Sequence, residues 1–105
     1  MKRINNYIIE KLKINKNSKS QPKNPETMQD IKIMVETYFW EWVNNDEMFK
    51  VSNLDRENMK SVYDYIMNTL KEKKYNFKKF IRNVLPAAFR RYMNKTYNLT
   101  IDEKF

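Results

Sequence analysis

Between Asn76 and Tyr97 the apolar and the basic residues separate onto two faces of a helix, and that separation constrains the rest of the chain. Phe77, Phe80, Ile81, Val84, Leu85, Ala88, Phe89, Tyr92 and Met93 recur at the i, i+3, i+4, i+7 spacing of one face, while Lys78, Lys79, Arg82, Arg90, Arg91 and Lys95 fall on the other. A stripe of this kind needs partner helices to bury it. Pro86 sits inside the stripe, where it removes one backbone hydrogen bond and clashes with the preceding turn. The helix is therefore expected to kink or restart there, giving segments Phe77 to Val84 and Pro86 to Lys95.

Two further stripes supply the partners. Thr27-Met28-Gln29-Asp30 reads as an N-cap with an acid three residues on, opening a helix whose stripe is Ile31, Met34, Val35, Tyr38, Phe39 and Trp42. Ile33, Trp40 and Val43 lie off that stripe, so this first helix is either buried on most sides or faces a second subunit, which makes a homodimer one expectation. Asn44-Asn45-Asp46-Glu47 ends it by turn chemistry, and Met48 to Val51 reads as briefly extended. A second helix is expected from Asp55 to about Lys73, capped by Ser52 or Asn53, with Met59, Val62, Tyr63, Ile66, Met67 and Leu70 inward. After Lys95, Tyr97, Leu99 and Ile101 alternate, which allows a short strand or an extended tail. The fold class is all-α: a small three-helix bundle, four-membered if Pro86 divides the last helix.

The start of the chain is different. Lys2 to Ile14 carries Ile4, Tyr7, Ile8 and Leu12 on one side, enough for one short amphipathic helix, whereas Asn15 to Pro25 contains no apolar residue other than its prolines. Such a composition buries too little surface to offset the entropy of ordering, so a flexible basic arm is expected over residues 1–26 and a folded domain over 27–105.

Charge follows the same plan. The stretch from Lys73 to Lys95 has eight basic residues and no acidic one, matching by itself the net charge of +8 of the 105-residue chain. The candidate nucleic-acid-binding residues are Lys73, Lys74, Lys78, Lys79, Arg82, Arg90, Arg91 and Lys95, because clustered cations track a phosphate backbone without reading sequence. Asn83 and Asn94 would stand beside them as neutral donors. An acidic protein would answer the same charge. A helix-turn-helix reading fails at Pro86, which breaks the rod that would enter a major groove.

Enzyme templates find little here. The chain has no histidine, cysteine or glycine, which removes the usual general base, thiolate metal sites and glycine-rich phosphate loops. Asp64 with Glu72-Lys73-Lys74 resembles a nuclease pattern only superficially, since those residues are wanted on strands and fall here on a helix. No cofactor or metal is implied, and no apolar run approaches the roughly 18 residues of a membrane span.

The first ten residues, Met-Lys-Arg-Ile-Asn-Asn-Tyr-Ile-Ile-Glu, resemble the capsid-targeting peptides of internal head proteins of T-even-type bacteriophages. Those peptides start Met-Lys, continue through polar residues to an aromatic and an aliphatic, and end on a Glu after which the prohead protease cuts. Tyr7, Ile8 and Glu10 match that pattern, and the resemblance implies processing at Glu10 with Ile8 as the aliphatic determinant. It also implies a small, basic, non-enzymatic protein packaged in the virion head, or one released into the host cytoplasm. An alternative of a different class is a protein-binding inhibitor of a host defence system, using the aromatic surface of the first helix.

Overall fold

The computed structural model describes residues 21–103, and within them the chain is all-α, with no strand. Its helices are α1 (Met28–Val43), α2 (Asp46–Lys50), α3 (Met59–Glu72, preceded by a 3-10 turn over Arg56–Asn58), α4 (Phe77–Asn83) and α5 (Ala87–Tyr97). Ile4, Tyr7, Ile8, Glu10 and the first part of the expected linker lie outside the described residues.

α1 starts as its sequence requires. The Thr27 side chain accepts from the Asp30 N–H at 3.1 Å, and the Asp30 carboxylate accepts from the Thr27 and Glu26 N–H groups at 3.2 and 3.0 Å, closing a capping box. The Glu26 N–H is the main reason that the Asp30 carboxyl lies below the usual range. Ile31, Met34, Val35, Phe39 and Trp42 are buried, and so is Val43 from off the stripe, whereas Ile33 remains 51% exposed. At the other end no basic residue follows from the sequence of α1 itself. Arg56 supplies one from a distance, its Nε donating to the Val43 carbonyl at 2.8 Å and its Nη2 pairing with Asp46 at 3.0 Å.

The segment expected to be extended after α1 is instead α2. Asn45 Oδ1 accepts from the Met48 N–H at 2.9 Å, and Asp46 and Glu47 occupy the first turn, so the same polar residues that end α1 also open a helix. The consequence is a buried Phe49, its ring 5.1 Å from Trp42 and covered by the Arg56 guanidinium at 5.0 Å. α3 itself starts after Asn58 without a side-chain cap bond, and the capping falls on the 3-10 turn before it. Asp55, not Ser52 or Asn53, accepts from the Glu57 N–H at 3.1 Å. Ser52 Oγ instead donates to the Phe49 carbonyl at 2.6 Å, and Asn53 turns into the left-handed region with φ 61°.

α3 lies on the flank of the core more than in it: Met59, Ile66 and Thr69 are buried, and Val62, Tyr63, Met67 and Leu70 are half-buried. Pro86 divides the last stripe as expected, with α4 ending at Asn83 and α5 starting at Ala87. The apolar register survives the break, so Phe80, Ile81, Val84, Leu85, Phe89, Tyr92 and Met93 are all buried. Rings from α1 and α5 meet at the centre, Phe39 to Phe89 at 5.8 Å and Trp42 to Phe89 at 5.6 Å.

The tail forms no strand. Asn98 ends α5 with φ 60°, Leu99 and Ile101 both bury, and a turn over Ile101 to Glu103 puts Asp102 at φ 71°. A chain without glycine thus fills its left-handed positions, among the described residues, with Asn53, Lys73, Asn98 and Asp102, three of which are the Asn and Asp types that tolerate that region best. Residues 21–25, assigned by composition to the linker, are held by this tail. Gln21 Nε2 donates to the Tyr97 carbonyl at 2.6 Å, the Thr100 N–H donates to Asn24 Oδ1 at 2.8 Å, Asn24 Nδ2 donates back to Thr100 Oγ1 at 3.1 Å, and Pro25 is buried.

Candidate nucleic-acid interface

The eight candidate cations do not form one face. Pro86 separates the helices that carry them, and the tail that follows reaches back between them. Arg82 Nε donates to Asp102 Oδ1 at 2.7 Å and Arg90 Nη1 to Asp102 Oδ2 at 2.5 Å, so one carboxylate joins α4, α5 and the tail. The Arg90 side chain is only 15% exposed, and its Nε is buried without a hydrogen-bond partner among the described residues. Arg90 is thereby part of the scaffold, not of a phosphate-binding surface, and Arg82 is held by the same acid. Asn94, expected as a neutral donor, is also taken up: it donates to the Ile101 carbonyl at 3.1 Å and accepts from the Ile101 N–H at 2.8 Å.

The remaining cations fall into three places. On α4, Lys78 and Lys79 are exposed one turn before Arg82, the i, i+3 and i+4 relation that puts all three on one side. On α5, Arg91 and Lys95 are exposed and border a hollow of about 490 Å³ with Met48, Val51, Ala88 and the acid Glu47. At the end of α3, Lys74 pairs with Glu72 at 3.6 Å, while Lys73, left-handed at φ 56°, borders a second hollow against α1. Residues 21–103 carry fourteen lysines and arginines against twelve aspartates and glutamates, so much of the chain's positive surplus belongs to the residues before them.

Other candidates resolve in the same way. Asp64 pairs with Lys60 at 2.9 Å on the exposed side of α3, and Glu72 pairs with Lys74, so the superficial nuclease pattern does not converge. Among the described residues no group of three or more carboxylates is placed to hold a metal ion, and no helix is long and apolar enough to cross a membrane. The aromatic surface of α1 is largely used internally. Phe39 and Trp42 are fully buried, Trp40 lies 5.5 Å from the Tyr63 ring, and Tyr38 lies 5.1 Å from Tyr97.

A cluster that the sequence reading did not single out links α1 to α5. Tyr92 donates its hydroxyl to Glu41 Oε2 at 2.7 Å, and Tyr97 donates to the same oxygen. Burial, and after it the hydrogen bond to Glu41, pushes Tyr92 up to about 12 and raises Tyr97 further; burial also raises Tyr38. The only signal for this cluster was a glutamate within the aromatic run of α1, and its partners are 51 and 56 residues away. No protein-family model, no curated protein and no solved structure matches this chain.

Proposed function

We propose that this is a small, non-enzymatic, phage-type protein that associates with nucleic acid through its phosphates, packaged in the virion head or acting beside nucleic acid in the host cytoplasm. The observation that carries the reading is that α4 and α5 present exposed Lys78, Lys79, Arg91 and Lys95 with no carboxylate anywhere on those two helices. Point charges on exposed helix turns, without aromatic platforms or a groove-reading rod, suit sequence-independent binding. The sequence before residue 21 adds charge of the same sign, six cations against the one acid Glu10. The resemblance of Met1 to Glu10 to capsid-targeting peptides supports packaging, with a cut after Glu10 that leaves Lys11 first.

Fluorescence anisotropy on duplexes of unrelated sequence tests the binding. With about four phosphates neutralised, affinity falls roughly a hundredfold between 50 and 200 mM salt, equally for every sequence. The combined Lys79→Gln, Arg91→Gln and Lys95→Gln variant lowers the salt slope by about 2–3. Arg82 and Arg90 are unsuitable for this test because they hold Asp102. A salt-independent affinity, or an unchanged slope in the triple variant, overturns the reading. Mass spectrometry of protein from native particles tests processing, and an N-terminus at Met1 in mature heads overturns it.

A further inference from the structure

The seam between α1 and α3 is closed at one end and open at the other. At the closed end Tyr63 of α3 lies 5.4 Å from the Phe39 ring and 5.5 Å from the Trp40 ring of α1. Towards the start of α1 and the end of α3 the aromatics give way to flexible side chains, and a hollow of about 480 Å³ opens. Its floor is Met28, Met67, Leu70 and Tyr75, all only partly buried against the core. Its rim carries Gln29 and the three lysines Lys32, Lys71 and Lys73, with no carboxylate among the residues that line it. Lys32 is paired with Glu36 at 3.2 Å, but among the described residues neither Lys71 nor Lys73 meets an acid.

We propose that this hollow binds a small anionic amphiphile, a medium-chain carboxylate in its simplest form, with the apolar chain on the methionine and leucine floor and the acidic head between Lys71 and Lys73. Size and length favour this occupant over a peptide. The volume falls within the roughly 300–1,000 Å³ of ordinary small-molecule sites. On α1 the lining runs only from Met28 to Lys32, about 6 Å at 1.5 Å per residue, which is one turn and too short to seat the i, i+4, i+7 anchors of a docked helix. Methionine suits such a floor because its unbranched thioether adapts to an irregular apolar chain.

Charge excludes the nearer alternatives. Residues 1–20 carry six cations and one acid, so the chain's own beginning is repelled by the rim. A second copy would bring the same lysines face to face. A nucleic acid would satisfy the lysines but leave the apolar floor wet.

The full-length protein labelled with ¹³C at its methionine methyls tests the proposal, using decanoate, decanol and decyltrimethylammonium as probes below their micellar concentrations. Decanoate shifts the Met28 and Met67 methyls in a saturable way and leaves the buried Met34, Met59 and Met93 nearly still. Decanol binds about tenfold more weakly, and the cationic probe more weakly again. Lys71→Gln with Lys73→Gln, both exposed substitutions, weakens decanoate about three- to tenfold and leaves decanol unchanged, which corresponds to a few tenths to 1 kcal/mol for each partly solvated charge. Equal binding of decanoate and decanol overturns the proposal, as does a response centred on Met48, which belongs to the other hollow. Displacement of Met28 and Met67 by Ile8→Asp with no probe added would make the chain's own beginning the occupant, and would overturn it too.

Discussion

Asp102 is the residue on which the second half of the fold turns, and Asp102→Asn isolates its charge. Asparagine keeps the side-chain shape and tolerates the left-handed φ of 71°, so the substitution changes the ion pairs without straining the backbone. Two arginines then lose the Asp102 carboxylate. Arg82, 48% exposed, is solvated and contributes no more than about 0.2–1 kcal/mol. Arg90 is different, since at 15% exposure its guanidinium cannot recover full hydration, and removing one member of a buried pair costs about 3–5 kcal/mol when desolvation is complete. Asparagine retains one acceptor oxygen and Asp102 itself is 25% exposed, so about 1.5–3 kcal/mol is expected in total. For a domain of this size that lowers Tm by roughly 6–24 °C, readable by far-UV circular dichroism during a thermal melt. The mechanism makes a sharper demand on the double variant. Replacing Arg90 by methionine in the Asp102→Asn background removes the stranded charge, so it recovers at least about 1 kcal/mol of what the single substitution loses. An Asp102→Asn protein within about 0.5 kcal/mol of the parent, or a double variant less stable than either single one, would refute the reasoning.

The Glu41 cluster predicts alkaline sensitivity. The folded chain holds Tyr92 protonated to about pH 12 whereas an unperturbed tyrosine ionises at 10.0, so the stability present below pH 10 is lost as the pH rises towards 12. Tyr92→Phe with Tyr97→Phe flattens that decline in Tm measured against pH, at a cost of about 1–2 kcal/mol for each lost bond at neutral pH. Asn98, left-handed at the end of α5, separates backbone from side chain: Asn98→Ala costs about 1–2 kcal/mol while Asn98→Gly is nearly neutral or stabilising in chemical denaturation. Thr27→Ala opens the capping box of α1 and lowers stability by about 1 kcal/mol, with faster amide exchange in the first turn as its signature.

Local pattern determined that the described residues are helical and that Ile31, Phe39, Phe80, Phe89 and Met93 face inward, by apolar periodicity; that Thr27 caps the first helix, by the acid three residues on; and that Pro86 divides the last, by proline's missing N–H. Those properties are local, because capping bonds span three residues and an apolar stripe repeats within two turns. The second role of Asn45 was also local but ambiguous, since one polar run can both stop a helix and start the next, and only the burial of Phe49 against Trp42 decides between them. The meaning of the basic face was not local at all. On a helical wheel Arg82 and Arg90 look like Lys79 and Arg91, yet Asp102, placed by a left-handed residue and by the anchoring of Ile101 on Asn94, takes both of them into the scaffold. The hollow beside Lys71 and Lys73 was equally hidden, because Met67 and Leu70 carry the period of core residues. The way α3 packs against α1 leaves them only partly covered, and no spacing along the chain encodes how two helices distant in sequence meet.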